Sequence, residues 1–169
     1  MRHGHNKDFR PDCKQLVFGL NITDDGHVPL SFKLFDGNQT DDKIHIPNWE
    51  QLRQMLDKTD FIYVADCKLS SEDTLDYLNQ NGGYFITVVP KNRSILKPFL
   101  QQLENGMVEW MPAYSVPDNR KPPRQHCFYT FETGLTENGY RLSSGYGVPP
   151  KQNKIKKHVN ADLLRLKLI

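Results

Sequence analysis

The sequence lacks a long apolar run, an excess of charge of one sign, and closely spaced cysteines. No apolar stretch approaches the roughly 18 to 20 residues that a membrane-spanning helix needs. Residues 1–6 are polar and do not have the apolar core of a secretory signal. The 22 lysines and arginines nearly balance the 20 aspartates and glutamates, so overall charge does not argue for nucleic-acid binding. These absences favour a soluble protein that is neither membrane-embedded nor secreted.

The number and spacing of the cysteines indicate which cellular compartment the protein occupies. The 3 cysteines, Cys13, Cys67 and Cys127, are widely separated, and no pair has the short spacing of a zinc site. Because an odd and scattered set does not suggest a disulfide framework, we expect a reducing, cytoplasmic environment. A glycine-rich loop between a strand and a helix is lacking too, which makes a nucleotide or phosphate enzyme the least favoured function.

The composition is that of a folded chain with one basic end. Hydrophobic residues make up 37% and aromatic residues 11% of the 169 residues, enough for the core of one domain with a small insertion. Between residues 151 and 167, six basic residues stand against the single acid Asp162. Such a tail can contact phosphates, although a solvated helix face is the commoner explanation. Its apolar residues have a weak helical period.

The first ordered elements are predicted to form a hairpin. Every second residue from 16 to 22 is large and apolar, which predicts a strand over residues 14–23 with one buried face. These apolar residues are Leu16, Phe18, Leu20 and Ile22. The turn residues Asp24-Asp25-Gly26 follow, and residues 28–35 are expected to return as an antiparallel strand.

Helical and strand patterns then alternate, which predicts a mixed α/β sheet covered by helices. Asn48, with Gln51 three residues later, is expected to cap a helix whose apolar stripe packs on the sheet. This stripe contains Trp49, Leu52, Met55 and Leu56. The next expected elements are a strand over residues 61–65, a helix over 72–79, a strand over 84–89 and a helix entered near Pro98.

Beyond residue 106 the pattern becomes β-like. Strands are expected over residues 107–114, 125–133 and 140–142, with a proline-rich basic loop over 116–124. We therefore divide the chain into an α/β core over residues 1–106, a β-rich insertion subdomain over 107–144 and a basic, helical tail over 145–169.

Asp66 is the best candidate for chemistry. It directly follows the apolar run 61–65, which is predicted to be an inner strand of a mostly parallel sheet. Open α/β sheets place ligands and catalytic groups at the carboxyl ends of their strands. The alternative is that Asp66 only caps the next helix, but Ser70 and Asp73 have the spacing of a capping pair. We therefore favour function over structure at Asp66.

Four motifs, in order along the chain, have a resemblance to a known family. They are GHNKDFRPD at residues 4–12, KQLVFGL at 14–20, FDGN at 35–38 and IYVAD at 62–66. Together they resemble the DDE transposases of bacterial insertion sequences, in the branch whose ribonuclease H-like catalytic core is interrupted by a β-rich insertion domain. The resemblance covers roughly residues 4–142. It implies that residues 1–106 are a partial ribonuclease H-like core without its first strand.

The resemblance implies that Asp66 is the second acid of an Asp, Asp, Glu triad that binds two divalent metals, usually Mg²⁺. In that family the metals activate water or a DNA 3′-hydroxyl for attack on a phosphodiester. The strand with the first acid would precede residue 4, and the pattern around the third acid is not found between residues 141 and 169. We therefore expect weak or absent Mg²⁺ binding, and a transposase fragment that is inactive alone.

Cations near these motifs are expected to contact the DNA backbone, because phosphate contacts need only positioned positive charge. The predicted DNA-binding residues are Lys7, Arg10, Lys68, Arg120, Lys121 and Arg124. A second hypothesis is a non-catalytic protein that binds transposon DNA or a full-length transposase and acts as an inhibitor. Because the missing first strand would leave two strands unpaired, we expect either marginal stability or association, with another polypeptide or with a second copy of this chain.

Overall fold

A computed structural model of the chain describes residues 2–3, 12–40, 43–90, 92–118, 124–136, 138–148 and 162–163. These residues form a mixed α/β structure with three α-helices and nine strands, and the strands belong to three small sheets. The chain divides into two compact units, Met1–His45 and Ile46–Ile169. Every helix in the described part of the chain is too short or too polar for a membrane span.

The first unit is built on the predicted hairpin. Its strands are β1 (Arg2–His3), β2 (Lys14–Ile22) and β3 (Pro29–Asp36), and each neighbouring pair is antiparallel. The turn is closed by a hydrogen bond from the Thr23 N–H to the Val28 carbonyl oxygen at 3.0 Å. The prediction of two antiparallel strands around residues 24–26 is confirmed.

The predicted burial of the hairpin is wrong. Leu16, Phe18, Leu20 and Ile22 do alternate along β2, but each is about half exposed, whereas the residues between them are half-buried. The physical reason is that two long strands cannot cover one of their own faces, and residues 12–40 contribute no helix to pack on it. The period-two alternation therefore predicted the strand correctly but did not predict which of its faces is buried.

The second unit begins with the predicted alternation of helices and strands. Its elements are α1 (His45–Leu56), β4 (Ile62–Ala65), α2 (Glu72–Gln80), β5 (Tyr84–Val88) and α3 (Lys97–Glu104). Short 3₁₀-helices occupy Cys67–Ser70 before α2 and Ser94–Leu96 before α3. Helix α2 ends within one residue of the predicted position 79, and Gly82, which has a positive φ of 76°, stops the helix.

Helix α1 begins earlier than predicted. Its first residue is His45, so Asn48 lies inside the helix and is not its cap. The Asn48 side chain donates instead to the Tyr63 hydroxyl at 2.9 Å, which ties α1 to β4. Trp49 and Leu52 are buried as expected, whereas Met55 is exposed.

Strands β4 and β5 are parallel, as expected, but β4 is not an inner strand among the described residues, where it pairs with β5 alone. Tyr63 is buried, whereas Ile62 is 46% and Val64 is 66% exposed. The other neighbour of β5 is β9 (Asp162–Leu163), which runs antiparallel to it. The helix predicted for the tail is therefore wrong at these two residues and at residues 145–148, which form the end of a strand, and the other residues from 149 onward lie outside the described residues.

The main core of the second unit lies between the sheet of β4 and β5 and the helices α1 and α2. It contains Trp49, Leu52, Tyr63, Leu69, Leu75, Leu78, Phe85 and Tyr140. Burial of eight large side chains is the dominant stabilising contribution here, since each fully buried one adds about 1.5–3 kcal/mol. This core fixes β4 against the helices and thereby fixes where β4 ends.

The predicted β-rich region forms a sheet of its own. Strands β6 (Met111–Asp118), β7 (Arg124–Leu135) and β8 (Arg141–Val148) are antiparallel neighbours in that order. Strand β6 runs through Pro117, within the segment predicted to be a loop. The sheet tolerates this proline because β6 is an edge strand among the described residues. The proposed subdomain limits at 106 and 144 stay a prediction.

Candidate functional site

The candidate site is the loop that leaves β4. Asp66 directly follows the last residue of β4, and its side chain is exposed. The parallel strand β5 ends beside it, because Ala65 of β4 is the partner of Thr87 in β5. An exposed carboxylate thus stands at the carboxyl end of a parallel strand pair, the edge at which α/β sheets bind ligands.

Asp66 also organises the loop that follows it. Its Oδ1 accepts a hydrogen bond from the Lys68 N–H at 3.0 Å, and its main-chain oxygen accepts one from the Leu69 N–H at 3.1 Å. Asp66 is therefore the N-cap of the 3₁₀-helix Cys67–Ser70.

The expectation that Ser70 and Asp73 would do the capping is wrong. The Ser70 hydroxyl donates to the Cys67 carbonyl oxygen at 2.6 Å, and the cap position of α2 is taken by Ser71, which makes no side-chain capping bond. The Ser71 hydroxyl bonds to the Thr74 hydroxyl at 2.7 Å instead. Asp66 therefore does have a capping role, because the first helix after β4 is the 3₁₀-helix Cys67–Ser70 and not α2.

Two positive side chains lie at this loop, one within it and one from the segment that follows β5. Lys68, predicted to contact DNA, is exposed two residues after Asp66. Arg93, which the sequence analysis missed, donates from Nη2 to the Ser70 carbonyl oxygen at 3.4 Å. The sequence signal for Arg93 was its position shortly after the end of β5, because parallel strands end at the same edge of a sheet. The loop therefore combines one acid with two cations.

The charge on Asp66 acts on the strand that precedes it. Burial raises the pKa of the Tyr63 phenol, and the negative charge of Asp66 raises it further, whereas the hydrogen bond from Asn48 lowers it. Tyr63 therefore stays protonated at neutral pH.

The described donors do not form a metal site. Within the described ranges, no three His, Cys, Asp or Glu side chains are grouped so that they could hold an ion. Magnesium requires an octahedral set of oxygen ligands, most of which would have to come from groups other than Asp66. The described residues around Asp66 thus do not fit a two-metal centre.

The structure brings together only Asp66 and Lys68 of the predicted site residues. Lys7, Arg10, Arg120 and Lys121 lie outside the described residues. Arg124 begins β7, where its backbone pairs with Asp118, and its side chain is not described. The three cysteines are free thiols with partial exposure.

No protein-family model matches the chain, and no curated protein sequence matches it. The resemblance to DDE transposases therefore depends on the four motifs themselves. In the structure KQLVFGL forms most of β2, FDGN closes β3 and IYVAD forms β4 with Asp66. Residues 4–11 of the first motif lie outside the described residues.

Proposed function

We propose that this chain is a piece of a DDE transposase with a ribonuclease H-like core, and that it does not cleave DNA by itself. The observation that carries the proposal is the position of Asp66, an exposed carboxylate at the end of β4 beside the parallel strand β5. The order of a hairpin, α1, β4, α2 and β5 supports the same fold. The Asp66 motif, IYVAD at residues 62–66, is one of the four motifs for which the resemblance was named.

The sheet arrangement supports an incomplete core. The resemblance implies a central strand between the hairpin and the Asp66 strand, and that strand would carry the first acid. Strands β2 and β4 belong to different sheets, and the described residues add only β5 beside β4. An unpaired edge of β4 among the described residues is an expected consequence of removing the strand beside it.

The proposed chemistry is metal-dependent DNA strand cleavage and transfer, carried out by the complete triad of the family with Mg²⁺. Asp66 supplies a single carboxylate, so this chemistry would need two further acids beside it. The role proposed for this chain's own residues is limited. Asp66 holds the loop and offers one acid, while Lys68 and Arg93 offer positive charge to a phosphate.

A nicking and strand-transfer assay on the purified chain tests the absence of catalysis. With plasmid DNA and Mg²⁺ or Mn²⁺, we expect no product above background. Activity that disappears in Asp66→Ala but persists in Asp60→Ala would overturn this part of the proposal. Asp60 is a matched control because its carboxylate is exposed and precedes β4 instead of following it.

The coding DNA around this chain tests its origin. A reading frame upstream that encodes an Asp-bearing strand, and one downstream that encodes a Glu-bearing helix, would identify a broken or frameshifted transposase. Finding neither would count against the proposal and favour a standalone protein.

A second candidate function is non-catalytic binding of DNA or of a full-length transposase, with inhibition as the result. The cations Lys68 and Arg93 on the Asp66 loop favour it. A gel shift at increasing salt should show an affinity that falls with salt, and Lys68→Ala should reduce the slope by about one unit. Lys58→Ala is the control, because Lys58 lies before β4. Binding that ignores salt, or equal effects of both variants, would contradict this function.

A further inference from the structure

One face of the hairpin consists of exposed apolar side chains. We define the hairpin face by Leu16, Phe18, Leu20, Ile22, Phe32 and Leu34. They share a face because Phe18 is the cross-strand partner of Leu34 and Leu20 is that of Phe32. The exposed fraction of these six side chains lies between 48% and 67%.

The opposite face of the hairpin has a different chemistry. The Asn21 amide donates to the Ser31 hydroxyl at 2.9 Å, and the Lys33 ammonium lies over the Phe35 ring, 5.6 Å from its centroid. These polar and charged groups are suited to contact with water. The opposite face also carries the apolar pair Val17 and Phe35, but both are already half-buried, so the hairpin face is the apolar surface that is left exposed.

The hairpin face cannot remain in water without cost. Residues 12–40 contain no buried large side chain, so the described part of this unit has no core of its own. A two-stranded hairpin is at best marginally stable in water, and soluble monomers rarely expose a continuous apolar patch of several hundred Å². Something that is itself apolar must pack on this face.

We propose that the hairpin face is covered by the same face of a second copy of this chain. All six side chains are apolar, although Asp36, the cross-strand partner of Leu16, adds a charge at one end of the face, so the centre of the face fits a second apolar face best. Two such hairpins can pack face to face as a sandwich about 10 Å thick, related by a two-fold axis. This inference goes beyond the proposed function and does not depend on it.

The available area agrees with a dimer. Six half-exposed side chains of this size present on the order of 600 Å² per copy, using about 200 Å² for a fully exposed large side chain. Two copies then bury about 1,200 Å², the lower end of the range for stable interfaces. The stacked rings of Phe18 and Phe32, with centroids 5.9 Å apart, lie in the middle of both strands. They would be the anchor of the interface.

Sedimentation velocity on the full chain over a range of concentrations tests the proposal. We expect a reversible dimer whose affinity varies little with salt, because the centre of the face is apolar and Asp36 lies at one end of it. Phe32→Asp should weaken dimerisation at least tenfold, since it places a carboxylate in the centre of the interface. Phe32 is exposed in the single copy, so the substitution should not unfold the hairpin.

Leu135→Asp is the matched control, because Leu135 is 71% exposed and belongs to β7 in the other unit. It should leave the dimer unchanged. The proposal is overturned if the wild-type chain is monomeric at all concentrations, if Phe32→Asp dimerises as well as the wild type, or if Leu135→Asp is equally disruptive.

Discussion

Thr87 donates a hydrogen bond from its Oγ1 to the main-chain oxygen of Asp66, with an O···O distance of 2.6 Å. Thr87 lies near the end of β5 and is 1% exposed. The same Asp66 oxygen accepts the Leu69 N–H, so strand β5 and the 3₁₀-helix both bind it. This relationship fixes the direction in which the chain leaves β4, and with it the position of the candidate carboxylate.

Replacing Thr87 by valine should destabilise the protein by about 1–2 kcal/mol. Valine keeps the shape of threonine but removes the buried donor to Asp66. Urea unfolding monitored by tryptophan fluorescence measures the loss. Thr87→Ser keeps the hydroxyl and should retain more stability than Thr87→Val, and the reverse order would contradict the role of this hydrogen bond.

The capping role of Asp66 predicts different results for two substitutions. Asp66→Ala removes the acceptor of the Lys68 N–H and should lower the free energy of unfolding by about 1 kcal/mol. Asp66→Asn keeps an acceptor oxygen and should lie within about 0.5 kcal/mol of the wild type. Thermal unfolding of both variants makes the comparison. Equal losses would show that the negative charge, and not the cap, stabilises this loop.

The order of elements could be predicted because its signals are local. The alternation from Leu16 to Ile22 required a strand, and the turn residues 24–26 required the chain to reverse. Gly82, with its positive φ, marked the end of α2 in the same way. Each of these signals acts within a few residues, so no knowledge of the rest of the fold was needed.

Burial and capping could not be predicted because they depend on distant partners. Nothing in the alternation of β2 or in the apolar run of β4 shows whether another element covers them, and Val64 is left exposed. Asn48 has good capping chemistry, but the Tyr63 hydroxyl, fifteen residues away, binds its side chain inside α1. The contact of Arg93 with Ser70 likewise joins residues 23 positions apart. The sequence thus located Asp66 but not the partners around it.

The hydrogen bond from the Tyr140 hydroxyl to Asp76 Oδ1, at 2.6 Å, should contribute strongly to the second unit. Tyr140 is 4% exposed, and its ring meets Phe85 edge to face at 5.5 Å. Because the acceptor is a carboxylate, Tyr140→Phe should cost about 1.5–3 kcal/mol.

A double-mutant cycle with Asp76→Ala measures this contact. The two substitutions should be coupled by at least about 0.5 kcal/mol, since both remove the same hydrogen bond. Tyr114→Phe, at a residue 62% exposed in β6, is the control and should change stability by less than about 0.5 kcal/mol. Additive effects of the Tyr140 and Asp76 substitutions would refute the assignment.

Gly83 should not tolerate a side chain. A Cβ at this position would lie 2.8 Å from Trp49 Cζ2 and 3.0 Å from the Leu78 carbonyl oxygen. Trp49 is fully buried and cannot move away without disturbing the core, so Gly83→Ala should cost about 1–3 kcal/mol. Gly145→Ala is the control, because its Cβ would lie 3.5 Å from the Tyr129 carbonyl oxygen, an ordinary contact. Comparable unfolding midpoints for the two variants would contradict the clash.

Stability should fall in alkaline solution partly through Tyr63. Burial raises the pKa of its phenol above the ordinary 10.0, and the charge of Asp66 raises it further. The folded state therefore binds the phenol proton more tightly than the unfolded state does. The resulting stability is fully present below about pH 10 and is lost as the pH rises through the raised pKa.

Urea unfolding between about pH 8 and 11 should show a steeper decline for the wild type than for Tyr63→Phe, which has no phenol proton to lose. The lost hydrogen bond from Asn48 lowers the stability of the variant at every pH and leaves its slope unchanged. If the free energy of unfolding fell in parallel with pH for the two proteins, the pKa of Tyr63 would be the same in the folded and unfolded states.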